Sequence, residues 1–148
     1  MGYSLTVDET KTAKVFGREL RISPKHCVEI LREIKGKRCE RAKEYLEGVV
    51  NKKRAVPFRK HNIKVGHKKL SKWDAGRYPV KASKAILKLI DEVETNAEYK
   101  GLDRARLRIL HTSAYKGRCF KSFIPRAFGR ATPYNHETVN IEIVVEEI

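Results

Sequence analysis

Histidine and cysteine side chains, which often carry catalysis and metal binding, form no recognisable catalytic or metal-binding pattern here. His61 and His67 lie six positions apart in a lysine-rich stretch, whereas zinc sites use closer pairs such as CxxC or HxxxH. Cys27, Cys39 and Cys119 have no such partners, and three cysteines without framework spacing predict free thiols. The sequence therefore predicts no catalytic residue, no metal site and no cofactor, and we expect a protein that is not an enzyme.

The charged side chains indicate a different chemistry, the binding of a polyanion. The chain has 148 residues, with 33 lysines and arginines against 18 aspartates and glutamates, and a formal net charge of +15. Residues 51–84 carry 12 basic side chains and one acidic one, and residues 104–136 carry 8 basic side chains and no acidic one. A solvated surface is the alternative interpretation, but 33 consecutive residues without a carboxylate favour a nucleic-acid partner.

The cations of these two blocks are the predicted RNA-binding residues, because each can neutralise a phosphate and release a counterion. The set consists of Lys52, Lys53, Arg54, Arg59, Lys60, Lys64, Lys68, Lys69, Lys72, Arg77, Lys116, Arg118, Lys121, Arg126 and Arg130.

A segment that mixes aromatic and basic residues, 115–136, predicts a protruding β-hairpin arm. A structureless loop of this length is unusual in a small domain, and Pro125, Gly129 and Pro133 place turn-forming residues between β-prone stretches. A protruding arm has no core of its own, so its aromatic rings are available to stack on unpaired bases. Those aromatic residues are Tyr115, Phe120, Phe123, Phe128 and Tyr134.

Hydrophobic spacing predicts an α+β fold in which three helices pack on a small antiparallel sheet. Ser23 and Pro24 indicate a helix start, and Gly36 indicates its end at the C′ position. The predicted elements are an edge strand over 14–22 with a bend at Gly17, helices over 24–35, 38–50 and 80–99, and strands around 107–109 and 139–145, each with one buried face.

The length predicts a single domain over 1–148, in which 55–79 is a basic insertion or loop and 115–136 is the hairpin arm. No stretch approaches the roughly 18 to 20 apolar residues of a membrane span, and the N-terminus does not have the pattern of a signal peptide. We therefore expect a cytosolic protein.

Three blocks of sequence carry a family likeness: ISPKHCVEILREIKGKRCERAKEYL (22–46), KASKAILKLIDEVETNAEYKGLD (81–103) and FIPRAFGRATPYNHETVNIEIVVEE (123–147). Together they resemble the family of the universal large-subunit ribosomal protein number twenty-two, in its archaeal form. Residues 55–79 have no counterpart in the bacterial pattern, so roles within that segment are assigned from charge alone.

The resemblance implies a structural constituent of the large ribosomal subunit with an α+β body. Its expected partners are large-subunit ribosomal RNA, neighbouring ribosomal proteins and the nascent polypeptide, since the family's hairpin lines the peptide exit tunnel. The tip residues that the resemblance places there are Arg126, Ala127, Phe128, Gly129, Arg130, Ala131 and Thr132.

A free-standing basic RNA- or DNA-binding regulator, or an architectural protein, is the alternative interpretation. It shares the same electrostatics, but the sequence contains neither a helix-turn-helix nor an RRM aromatic signature.

Overall fold

The computed structural model describes residues 3–68, 70 and 73–148. Its helices and strands, in chain order, are β1 (Thr12–Leu20), α1 (Pro24–Ile34), α2 (Cys39–Val50), β2 (Val56–Pro57), β3 (Gly76–Arg77), α3 (Val80–Tyr99), a short 3-10 helix (Arg104–Arg106), β4 (Leu107–Phe120), β5 (Phe123–Pro125), β6 (Ala131–Pro133) and β7 (His136–Glu147).

Three antiparallel strands form the main sheet, in the order β1-β7-β4. β7 is the central strand, and β1 is an edge strand as predicted. The pairing of β1 with β7 shifts between Gly17 and Leu20, which confirms the predicted bend at Gly17. A Cβ at Gly17 would lie 2.9 Å from a Leu89 methyl carbon, so the small residue also lets α3 approach the sheet closely.

The three predicted helices are confirmed, because the sequence supplies both their boundaries and their apolar faces. Pro24 is the first residue of α1, and Gly36 follows that helix with a φ of +79°, the left-handed conformation that glycine adopts at a C′ position. α3 has the predicted bounds, Val80–Tyr99, and Gly101 follows with a φ of +78°. The predicted α+β class is therefore correct.

One face of the sheet packs against the helices and forms the hydrophobic core. Ile141 and Ile143 of β7 are fully buried there, together with Ile30 of α1, Leu46 of α2 and Ile90 of α3. These side chains recur at helical or alternating spacing, so the periodicity that predicts the elements also determines which faces meet.

The prediction of a single buried face is wrong for β7. Asn140, Glu142 and Val144 point to the other face, yet their side chains are also buried. The N-terminal segment covers part of this face, because the Ser4 N–H and hydroxyl both donate to Glu142 Oε2, at 3.1 and 2.7 Å. A central strand flanked on both edges and covered on both faces has little access to solvent.

Candidate nucleic-acid interface

The predicted RNA-binding residues lie on the surface wherever the structure describes them. Lys69 and Lys72 lie outside the described residues, and all the others in the set are exposed. Exposure leaves their charged groups accessible to a large ligand such as a polyanion.

Most of these cations have no acidic partner within 4.0 Å among the described residues. The exceptions are Arg54 with Glu44 at 4.0 Å, Arg59 with Glu33 at 3.5 Å, Lys116 with Glu137 at 2.8 Å, and Arg118 with Glu19 at 3.9 Å. Pairs of this kind at a solvated surface contribute about 0 to 1 kcal/mol each, so a polyanion can replace the carboxylates at little cost.

A buried carboxylate fixes the start of the basic insertion. Glu29 of α1 is fully buried, and its Oε1 accepts hydrogen bonds from the backbone N–H groups of Lys60 and His61, both at 2.8 Å. Its Oε2 accepts a third from the Arg59 N–H at 3.1 Å. The buried Glu29 carboxylate binds the backbone of this segment on its inner side, and the side chains of Arg59 and Lys60 are exposed to solvent.

Aromatic packing anchors the same segment from its other side. Phe58 is 2% exposed and belongs to the core, and its carbonyl accepts a hydrogen bond from Trp73 Nε1 at 2.8 Å. His26 packs edge-on against Phe58, with the ring centroids 5.5 Å apart. Burial, and then the charge of Arg77, lower the pKa of His26, so this histidine adds no positive charge at neutral pH.

The pairing of β4 with β7 continues from the core-packed part of the sheet into the first residues of the arm. The pairing shifts between Lys116 and Cys119, where a Cβ at Gly117 would lie 2.5 Å from Thr138 Oγ1. The Thr138 hydroxyl donates to the Arg118 carbonyl at 2.8 Å. A glycine is therefore required at this irregular position, from which the ladder extends to Phe120 opposite His136.

The segment 122–134 pairs with itself and ends in a tight turn. β5 and β6 are antiparallel, and the Arg126 N–H donates to the Arg130 carbonyl at 2.8 Å across the turn. Phe128 and Gly129 both adopt the left-handed conformation, with φ of +58° and +67°. Glycine adopts this conformation without strain, whereas a bulky aromatic residue rarely does. The Phe128 side chain is 94% exposed, so no packing within the described chain accounts for this backbone conformation at Phe128.

Tyr115 does not belong with the exposed aromatic residues of the arm, contrary to the sequence-based prediction. It lies half-buried on the sheet, with its ring centroid 6.3 Å from that of Phe16. Partial desolvation, followed by the charge and a hydrogen bond of Glu142, raises the Tyr115 pKa. Phe120, Phe123 and Tyr134 are exposed as predicted.

Sequence reasoning also missed a cleft beside the first residues of β7. Arg21, Lys81, His136 and Glu137 are among the residues that line this cleft of about 760 Å³ between the starts of α1 and α3. Neither helix has an acidic residue in its first turn. That absence was readable in the sequence, but only the fold brings the two helix starts together.

The cysteines lie where a structural role accounts for them. Cys27 and Cys39 are buried, and burial raises the pKa of each thiol to about 12, which leaves both protonated and unreactive at neutral pH. Cys119 is exposed. Within residues 3–68, 70 and 73–148, no group of three or more histidine, cysteine or acidic side chains could hold a metal ion. No described helix is long and apolar enough to cross a membrane.

Comparisons with known proteins give a consistent result over nearly the whole chain. The family model for ribosomal protein L22p/L17e matches residues 15–146. The large ribosomal subunit protein uL22 of Methanopyrus kandleri is 55% identical over 143 residues, which cover 95% of this chain and 90% of the relative. The proteins of the same name from Methanocella arvoryzae and Methanoculleus marisnigri are 50% and 53% identical, over 100% and 99% of this chain and 97% of each relative. The chain therefore belongs to the ribosomal protein L22p/L17e family.

Proposed function

We propose that this chain, a structural and non-enzymatic constituent of the large ribosomal subunit, binds large-subunit ribosomal RNA through its two basic blocks and lines the peptide exit tunnel with its hairpin tip. Family membership favours this function over a free-standing regulator. The observation that carries the RNA-binding part is the exposure of the described basic set, most of it without a carboxylate within 4.0 Å among the described residues.

Two structural devices support RNA binding by the insertion in particular. The Glu29 carboxylate and the buried Phe58 ring hold the backbone of residues 58–61 to the body. The cations of this segment are therefore presented from a rigid base, which lowers the entropy lost when they are ordered against phosphates.

RNA binding is tested by its dependence on salt. The logarithm of the affinity for a large-subunit RNA fragment should fall steeply with the logarithm of the salt concentration, by roughly 0.7 to 0.9 per neutralised phosphate. A Lys60→Gln/Lys64→Gln variant should reduce the slope by about 1.5. The control is Lys11→Gln/Lys35→Gln, which removes two exposed charges outside the proposed surface and should leave the slope near that of the parent. A flat salt response of the parent protein would contradict the proposal.

The tunnel-lining part rests on the shape of the tip and on the family. The turn is thin, since Ala127, Gly129 and Ala131 are small, and Phe128 is the bulky group among them. Small residues with one exposed ring suit a surface that narrows a passage without closing it. The tip adds only Arg126 and Arg130 to the basic set, so anchoring should depend mainly on the other cations.

Deletion of 126–132 tests this division of roles. The truncated protein should retain its occupancy in isolated large subunits, whereas crosslinks between the subunit and a nascent chain should change. An Arg126→Gln/Arg130→Gln variant keeps the turn and controls for the loss of charge. Loss of occupancy in the deletion, but not in this control, would show that the tip itself anchors the protein.

A further inference from the structure

We propose that a cleft between α2 and the basic insertion takes one unpaired nucleotide of the ribosomal RNA. The cleft, here called the Tyr45–Tyr78 cleft, has a volume of about 540 Å³ and is lined by Lys37, Tyr45, Lys53, Arg54, Lys68 and Tyr78. The inference rests on the proposed RNA-binding function and deepens it, because it assigns one site and one class of ligand. Lys37, Tyr45 and Tyr78 are outside the set predicted from charge.

The walls of the cleft come from separate parts of the chain and are held in place by the body. Lys37 lies between α1 and α2, and its carbonyl accepts a hydrogen bond from the Ile109 N–H of β4 at 2.9 Å. The N–H groups of Lys53 and Arg54 both donate to the carbonyl of Gly48, at 2.8 and 3.0 Å, and so close the end of α2. Tyr45 packs against the hydrophobic core. The cleft is therefore largely formed before a ligand arrives, as ligand sites usually are.

The positive charge of the cleft favours an anionic ligand. Lys37, Lys53, Arg54 and Lys68 bring four positive groups to its walls, and none of the described lining residues is acidic. The Glu44 carboxylate contacts Arg54 at the long distance of 4.0 Å, and burial, followed by the charge of Glu33, raises the pKa of Tyr45 to about 12. The four cations still outnumber these two carboxylates, and a phosphate relieves the remaining repulsion.

The two tyrosines distinguish a nucleotide from a simple anion. Lys37 Nζ lies 4.5 Å from the Tyr45 ring centroid, and Lys68 Nζ lies 5.6 Å from the Tyr78 ring centroid. Each ammonium group therefore rests on an aromatic face and can leave it for a phosphate oxygen, which frees the ring for a base. An acidic peptide would use only the charges, and a paired duplex would offer only phosphates. A base with its flanking phosphate uses both features.

The ring of Tyr78 provides the sharpest test. A Tyr78→Leu variant keeps every charge, and the matched control is Tyr99→Leu at the end of α3, where the side chain is 94% exposed and outside the cleft. The probes are a ten-nucleotide oligouridylate and an RNA duplex of the same length. Tyr78→Leu should weaken binding of the oligouridylate about 5- to 150-fold, the effect of one lost base stack, while duplex binding changes no more than in the control. Thermal melting establishes that each variant is folded.

One further variant separates stacking from charge. Lys37→Gln should reduce the salt slope of binding by about 0.7, the value for one phosphate of a single strand. Tyr78→Leu should leave that slope unchanged, because the ring carries no charge.

The outcomes distinguish this inference from the proposed function. If the parent binds large-subunit RNA with steep salt dependence but Tyr78→Leu behaves as Tyr99→Leu does, the cleft takes no base and only this inference fails. If the parent shows no salt-dependent RNA binding, the proposed function fails. If a polyglutamate peptide binds the parent, and Lys37→Gln weakens binding of that peptide but not of the oligouridylate, the cleft is a protein-binding site and the inference is overturned.

Discussion

Replacing Glu29 by glutamine should release the basic insertion from the body. The carboxylate accepts three backbone hydrogen bonds, from the N–H groups of Arg59, Lys60 and His61. In Glu29→Gln the amide oxygen can still accept the two bonds now made to Oε1, but the amide nitrogen faces the Arg59 N–H as a second donor. One hydrogen bond is thus lost, and the other two lose the strength that a charged acceptor gives.

The size of the effect follows from those three bonds. Hydrogen bonds to charged groups contribute about 1.5 to 3 kcal/mol and neutral ones about 0.5 to 1.5 kcal/mol, so the two retained bonds weaken by about 1 kcal/mol each. The unsatisfied Arg59 N–H adds about 1 to 3 kcal/mol, toward the lower end because the segment lies near water. The attachment of residues 58–61 should therefore weaken by about 3 to 4 kcal/mol.

Urea unfolding followed by two probes measures this change. Trp73 is the single tryptophan, and its indole N–H donates to the Phe58 carbonyl within the affected segment. In Glu29→Gln its fluorescence should change at a lower urea concentration than far-UV circular dichroism, which reports the helices. The control is Glu33→Gln, which removes the surface pair with Arg59 and should cost less than about 1 kcal/mol. If the two variants unfold alike, with coincident probes, Glu29 does not hold the insertion.

Three further predictions concern single side chains. Tyr45→Phe should stabilise the protein by about 1 kcal/mol in urea unfolding, because the buried hydroxyl has no hydrogen-bond partner among the described residues. Gly129→Ala should weaken the turn by about 1 to 2 kcal/mol and speed amide exchange in the tip, because Gly129 has a φ of +67°. The control is Gly66→Ala, where a Cβ would meet nothing within 4 Å, and it should leave exchange in the tip unchanged. A thiol reagent at pH 8 should label the exposed Cys119 at once and the buried Cys27 only on unfolding. Burial raises the pKa of Cys27 to about 12, against 9.0 for a free thiol. The free energy of unfolding should therefore fall as the pH rises from 9 to 12, because the thiol ionises first in the unfolded chain.

Most of the secondary structure could be predicted from the sequence, because its signals are local. Pro24 and Gly36 mark the two ends of α1, and helical spacing of apolar residues gives α3 its bounds. The basic blocks are equally local, since charge is read directly from residue types. These features depend on neighbours within a few positions of the chain, so no tertiary contact is needed to recognise them.

The arrangement of the candidate interface depended on contacts between distant residues. In the sequence, nothing distinguishes Glu29 from other glutamates of a helix. Only tertiary packing brings its carboxylate within hydrogen-bond distance of the Arg59 N–H, 30 residues away. Tyr115 reads as part of the arm but is drawn into the body by Phe16 and Glu142.

The sequence by itself determined the class of fold, the order of helices and strands, the sign of the charge and the family. Tertiary structure decided which faces of β7 are buried, how the insertion is held, and that Tyr45 and Tyr78 line one cleft. The physical reason is the range of the interactions. Helix ends, apolar periodicity and net charge are properties of short segments, whereas a buried carboxylate or a shared cleft exists only once remote segments of the chain have packed together.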